Sequence, residues 1–358
     1  MAAPSPKTAE RRAADIAAGR ALLRNGSRSF HVASLLLPRQ IRDSATALYA
    51  FCRLADDAID VEADAAAGLA QLRAQLDRIY GGTPLPQPVE RLLAQTVREH
   101  HIPRALLDAL LEGFEWDLAG RRYESLADLN AYAARVAGSV GAMMTLLMGE
   151  RDATVLARAC DLGVAMQLTN IARDVGQDAR AGRIYLPLRW LREVGIDPDA
   201  WLARPEFSPA LAQVIERVLA AADDLYDRAA AGISRLPARA RPGVHAARLL
   251  YAQIGHELRR RGMDAVARRA HVSASRKLAL ALAAVGAALR ANSVLAAAPL
   301  EQVRFLLRAV QEAGVPADTQ QPALAPAQSR AEWMLDLFER LQWRDRTAAL
   351  QRFQQLQS

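Results

Sequence analysis

Apolar residues recur along most of this chain at spacings of three and four, the pattern of helices that bury one face and wet the other. Ala, Leu, Arg and Glu predominate between them, and no alternating β-branched run is long enough to suggest a strand. The pattern predicts an all-α protein with helices at about 9–24, 40–62, 65–80, 88–99, 103–119, 125–148, 152–177, 208–234, 241–268, 273–290, 297–313 and 329–355. The punctuation agrees: Pro38 and Pro103 stand where first-turn prolines stand, Ser125 with Asp128 has capping-box spacing, and Gly81 to Pro88 is a plain break.

Residues 314–328, with Gly314, Pro316, Pro322 and Pro326 among Ala and Gln, have the composition of a linker, and no internal repeat is present. The helix expected after it begins with Ser329 and Glu332 at capping-box spacing and carries Trp333, Met334, Leu337, Phe338 and Leu341 on one side. Docking of that face onto the main domain is favoured over contact with a membrane.

The chain has 358 residues, of which 51% are hydrophobic, enough for a sizeable core. Two cysteines, Cys52 and Cys160, cannot make a disulfide framework and have no metal-like spacing, so a reducing cytoplasm is expected. The first twenty residues are interrupted by charge, unlike a signal peptide, and the apolar stretch Leu278 to Leu289 is too short to span a bilayer. A net charge of +7 suits nucleic acid, an anionic membrane surface or a phosphorylated substrate. Against nucleic acid, the arginines are dispersed apart from Arg259, Arg260, Arg261, Arg268 and Arg269, and no zinc-finger or RNP-like signature accompanies them.

Chemistry concentrates in two acidic segments. Asp56 and Asp60 fall on one helical face about 6 Å apart along the axis, with Asp57 about 100° away, and Asn170, Asp174 and Asp178 make a row of about 12 Å. Like charges at that spacing repel unless a cation lies between them, and Mg²⁺ is held by one or two carboxylates together with substrate phosphates. The rows therefore point to a diphosphate carried on magnesium. Arg53 precedes Asp56 and Asp57 by helical spacing and fits an ordinary salt bridge equally well. Arg173 faces away from the 170/174/178 row by helical geometry, which favours an external cation. Gly182-Arg183-Ile184-Tyr185-Leu186-Pro187 fits a loop that returns an Arg and a Tyr to the acidic face, or simply a turn with a surface Arg. Ser27-Arg28-Ser29-Phe30 offers hydroxyls and a guanidinium to phosphate oxygens.

A second DDxxD match, Asp223-Asp224-Leu225-Tyr226-Asp227, has no Asn or Gln companions and is followed by Arg228, so it is expected to be a solvated face. The histidines lack zinc spacing, and Gly138 and Gly141 form no dinucleotide fingerprint. Within a helix those glycines would let a ligand or a neighbouring backbone approach closely.

Taken together, GSRSFHVASLLLP (26–38), LYAFCRLADDAID (48–60), YAARVAGSVG (132–141), QLTNIARDVGQDARAGRIYLP (167–187) and the region 251–277 resemble the squalene/phytoene synthase family, the head-to-head prenyl diphosphate condensing enzymes. The resemblance spans about residues 20–290. It implies an isoprenoid synthase fold, a single helical bundle around a central apolar cavity. The corresponding domains are a tail at 1–20, a catalytic domain at 21–295 and a helical extension at 296–358. By resemblance, Asp56, Asp60, Asn170, Asp174 and Asp178 hold Mg²⁺, with Mn²⁺ as a substitute. Ser27, Ser29, Arg53, Arg173, Arg183, Arg269 and Lys277 grip diphosphate or support that grip, and Phe30, Tyr49, Tyr132, Gln167 and Tyr251 line the cavity where a carbocation forms. The implied reaction joins two geranylgeranyl diphosphates to phytoene through a cyclopropyl diphosphate, without NADPH. Its rivals are a farnesyl diphosphate-dependent squalene, dehydrosqualene or presqualene diphosphate synthase, a non-catalytic family member, and a basic nucleic-acid binder. Lipophilic substrate and product, with the basic charge, lead us to expect a cytoplasmic protein peripherally associated with the inner membrane face.

Overall fold

The computed structural model describes residues 10–12, 14–19, 36–60, 65–289 and 297–314, and for 56–60 the backbone alone. Phe30, Ser27, Ser29, the linker and the expected 329–355 helix lie outside the described residues. Among the described residues every regular element is helical: α1 (Arg39–Asp60), α2 (Ala65–Tyr80), α3 (Pro88–His100), α4 (Arg104–Leu118), α5 (Leu126–Ala133), a π turn (Ala134–Gly138), α6 (Ser139–Leu147), α7 (Ala153–Arg180), α8 (Leu188–Glu193), α9 (Pro198–Ala203), α10 (Pro209–Ile233), α11 (Arg241–Arg260), α12 (Ala274–Ala288), a 3₁₀ turn (Glu301–Val303) and α13 (Arg304–Ala313).

The starts follow from local chemistry. Ser125 and Asp128 satisfy each other's backbone N–H groups in a capping box, Asp152 accepts from the N–H groups of Thr154 and Val155, and Ser208 with Pro209 opens α10. The structure departs from the expected pattern in several places, and the helix expected at 297–313 starts only with a 3₁₀ turn at Glu301–Val303. Helix α11 stops at Arg260, eight residues early, because Gly262 and Met263 take left-handed φ values of 74° and 68°. Two short helices, α8 and α9, occupy a stretch expected to be irregular.

Helix α7, about 42 Å long, is the axis of the bundle. It packs against α10, α11, α6, the π turn, α5 and α13, and its buried side chains run from Val155 to Ala179. A Cβ at Gly141 of α6 would overlap the carbonyl of Ala159 on α7, so glycine there sets a backbone-to-backbone approach. Residues 297–314 belong to the same packed unit: Leu306, Leu307 and Val310 are buried, and α13 contacts α4 and α7. Among the described residues no helix is long and apolar enough to cross a membrane.

Candidate functional site: an apolar cavity with a charged end

A cavity of about 390 Å³ lies between α1, α4, the π turn, α6, α7, α10 and α11, within the range of sites that enclose small ligands. Helix α7 lines it with Val155, Arg158, Ala159, Leu162, Gly163, Met166, Gln167 and Asn170, one face at three- and four-residue spacing. Helix α1 contributes Ala45, Leu48, Tyr49, Cys52 and Arg53, and α11 contributes Tyr251. Five of the expected residues, Tyr49, Arg53, Gln167, Asn170 and Tyr251, are thus gathered on one cavity. The series on α1 runs on in sequence to Asp56 and Asp60, on helical backbone whose side chains lie outside the description.

Beyond Asn170, α7 carries Asp174 and Asp178 at four-residue steps. Burial alone would raise the Asp174 carboxyl, but Arg173 and Arg269 together hold it below the ordinary value. Each grips it with two hydrogen bonds, Arg173 at 2.7 and 2.5 Å and Arg269 at 2.7 and 2.9 Å. The expectation that Arg173 faces away from this row is corrected here. Successive Cα positions do diverge, but a guanidinium on a three-carbon stem bends back to its neighbour's carboxylate.

Burial, with Asp174 and Asp117 nearby, pushes the Asp178 carboxyl up to about 7, against the opposing pull of Arg183. The loop after α7 brings Arg183 there: Gly182 turns at φ 73°, and the Arg183 N–H donates to the Asp178 carbonyl. Arg173 and Arg269 flank Asp174, and with Arg261 and Lys277 they act on His271, whose imidazole is lowered by burial first and by these charges next. Arg269 rides on the 262–272 segment, which is pinned to α7. Gly176 donates to the Ala265 carbonyl at 3.1 Å, Arg180 donates to the Val266 carbonyl, and a Cβ at Gly176 would strike Val266.

Asp117, which no sequence motif marks, accepts from Tyr132 at 2.8 Å and Tyr185 at 2.7 Å. The two rings stack 5.3 Å apart, with Tyr123 against both. Burial raises both phenols well above their ordinary value, so they donate to Asp117 as neutral groups. Tyr132 therefore sits beneath the acidic row rather than among the cavity-lining residues, because its hydroxyl is drawn to Asp117. The tyrosine returned by the 182–187 loop serves the same carboxylate.

Among the described residues no group of three or more His, Cys, Asp or Glu side chains forms a metal cage by itself. The donor set still fits a hard cation shared with a ligand. The buried Asn170 Oδ1 has no hydrogen-bond partner, and it heads a row of two carboxylates, the oxygen chemistry that Mg²⁺ uses alongside phosphate. The competing acidic match behaves as a solvated face: Asp223 pairs with Arg259 at 2.7 Å, and Asp227 is 89% exposed.

The squalene/phytoene synthase family model matches residues 23–276. A phytoene synthase of Cereibacter sphaeroides is 47% identical over 95% of this chain and 97% of its own length, and one of Rhodobacter capsulatus is 52% identical over 74% and 79%. The fold matches a ligand-bound dehydrosqualene synthase with a TM-score of 0.72 at 31% identity, over 77% of this chain and 97% of the other. The all-α architecture is that of isoprenoid synthases.

Proposed function

Since the chain belongs to the squalene/phytoene synthase family, whose members are prenyl-transferring enzymes, we propose that it condenses two geranylgeranyl diphosphates to phytoene in carotenoid biosynthesis. The reaction we assign is Mg²⁺-dependent and passes through a cyclopropyl diphosphate. The observation that carries this reading is one helix, α7, that walls an apolar cavity and ends in Asn170, Asp174 and Asp178, the two carboxylates met by Arg173, Arg269 and Arg183. Names of the relatives at 47% and 52% identity support phytoene as product. The dehydrosqualene synthase likeness favours a second reading, a shorter prenyl substrate.

Asp174, Asp178 and Asn170, with Asp56 and Asp60, would hold Mg²⁺, which when bound supplies Lewis-acid stabilisation of the departing diphosphate. The chain's own cations do the rest at that end. Arg173 and Arg269 on Asp174 and Arg183 beside Asp178 stand where phosphate oxygens would lie, and planar guanidiniums suit bidentate phosphate contacts. Ionisation of an allylic diphosphate separates charge, and at about 4 Å each unit pair is worth about 4 kcal/mol at an effective dielectric near 20. Fixed cations around the leaving group therefore lower the barrier without reorganising. The walls exclude water from the carbocation, and the faces of Tyr49 and Tyr251 offer it cation–π attraction. Asp117, held by two neutral tyrosines, keeps negative charge under Asp178 and so favours cation capture there.

Incubation with farnesyl or geranylgeranyl diphosphate and Mg²⁺, followed by product mass, tests the assignment. Phytoene from the C20 substrate is expected. Product only from the C15 substrate replaces the first reading with the second, and no product from either removes both. Peripheral membrane association belongs to the same proposal, and vesicle flotation at low salt tests it: a protein that stays wholly with the aqueous phase removes it.

A further inference from the structure

About three turns before Asn170 on α7, about 18 Å along its axis, the cavity meets a side chain that the charged end does not use. Arg158 lines the cavity and is 2% exposed. Its Nε lies 3.0 Å from Asp161 without an aligned hydrogen bond, and its Nη2 donates to the Ala298 carbonyl at 3.4 Å. Both acceptors are already served by Arg228, which donates to Asp161 at 3.0 and 3.4 Å and to Ala298 at 2.7 Å. Arg228 is not among the cavity-lining residues. One fully buried carboxylate thus faces two guanidiniums, and anchoring of the 297–314 segment accounts for Arg228 but not for a second buried cation, which is costly to desolvate.

The neighbouring backbone is shaped around Arg158. A Cβ at Gly232 of α10 would overlap the Arg158 Cβ and Cγ, so the aliphatic stem lies flush on α10. Gly232, Ile233, Leu236 and Val155 line the cavity beside it.

We infer that Arg158 is part of the end stop for the prenyl chain: with Val155 one turn farther along α7, its stem narrows the far end of the cavity against α10, and its ion pair and carbonyl contact fix it there, which limits the chain length accepted. An apolar stop yields to a longer tail by changing rotamer. Displacing Arg158 strips a buried guanidinium of its partners, so this stop resists. The inference rests on the prenyl diphosphate reading above, and deepens it by naming what measures the substrate.

The test uses full-length protein and the C15, C20 and C25 all-trans prenyl diphosphates, each with Mg²⁺, reading kcat/KM and product mass. Arg158→Ala is expected to raise the C25:C20 ratio at least fivefold over wild type, and a smaller rise in a folded variant overturns the inference. Arg228→Ala is expected to lower the melting temperature yet keep the ratio within twofold of wild type. A shift matching that of Arg158→Ala would make general loosening the cause and overturn the end stop. Should Arg158→Ala not fold, Arg158→Gln, shorter but still a donor to Ala298, carries the same test with a threshold of threefold. If wild type uses the C15 and not the C20 substrate, the phytoene reading falls, while the end stop is still read from the C20:C15 ratio.

Discussion

Helix α7 carries two groups of opposed charges about 20 Å apart, and they differ in access rather than in chemistry. At one end Asp174 is 15% exposed and its partner Arg269 is 44% exposed. At the other, Asp161 is 0% and Arg158 2% exposed. Water and ligands reach the first group, so its guanidiniums can leave the carboxylate for another anion at modest cost. In the second group Asp161 and Arg158 are desolvated, and separating them leaves a bare buried charge. The same residue types thus serve exchange in one place and permanence in the other.

Replacing one aspartate in each group breaks this comparison most sharply. Asp174→Ala is expected to cut kcat about 10³-fold, about 4 kcal/mol of barrier, with a loss of stability smaller than that of a fully buried pair, since Asp174, Arg173 and Arg269 are partly exposed. Asp161→Ala is expected to cost about 3–5 kcal/mol of stability, seen in denaturant unfolding. Equal losses of stability in the two variants would erase the distinction.

A smaller effect sharpens it through pH. Asp178 is raised to about 7 in the folded chain without metal, whereas in the unfolded chain it titrates near the ordinary value. The folded state therefore binds the extra proton, and its stability falls as pH rises through 7. Between pH 6 and 8, in EDTA, unfolding free energy is expected to drop by about 1 kcal/mol. Asp178→Asn should remove that slope, and a slope that survives the substitution refutes the assignment. The smallest change belongs to the decoy. Asp223→Ala, at an exposed pair with Arg259, should leave activity within twofold and stability within about 0.5 kcal/mol, and a larger loss of turnover would reopen it as a site.

How much of this was legible in the sequence depended on range. The 170/174/178 row and the 182–187 return were readable because one helix and one turn contain them. Asp117 was not, since its partners stand 15 and 68 residues away and its own surroundings, Trp116 and Leu118, advertise nothing. Arg158 was hidden for a similar reason: its meaning comes from Arg228, Gly232 and Ala298, on segments that only the packed bundle brings together. Helix α11 was overextended because residues 261–268 have helical composition. The site needs that stretch unwound, so that its backbone can lie on Gly176 and deliver Arg269 to Asp174. Asp56 and Asp60 stay as expectations of spacing and resemblance.

The π turn at Ala134–Gly138 has a consequence for the cavity wall it helps build. It holds one residue more than a regular helical turn would, so every side chain from Ser139 to Leu147 is set about 100° away from where an uninterrupted α-helix would put it. Val140, Gly141 and Met144 face the cavity by virtue of that offset. The phase of that stretch of wall therefore depends on a single inserted peptide unit, and its loss would rotate Val140, Gly141 and Met144 out of place without changing the identity of any lining residue.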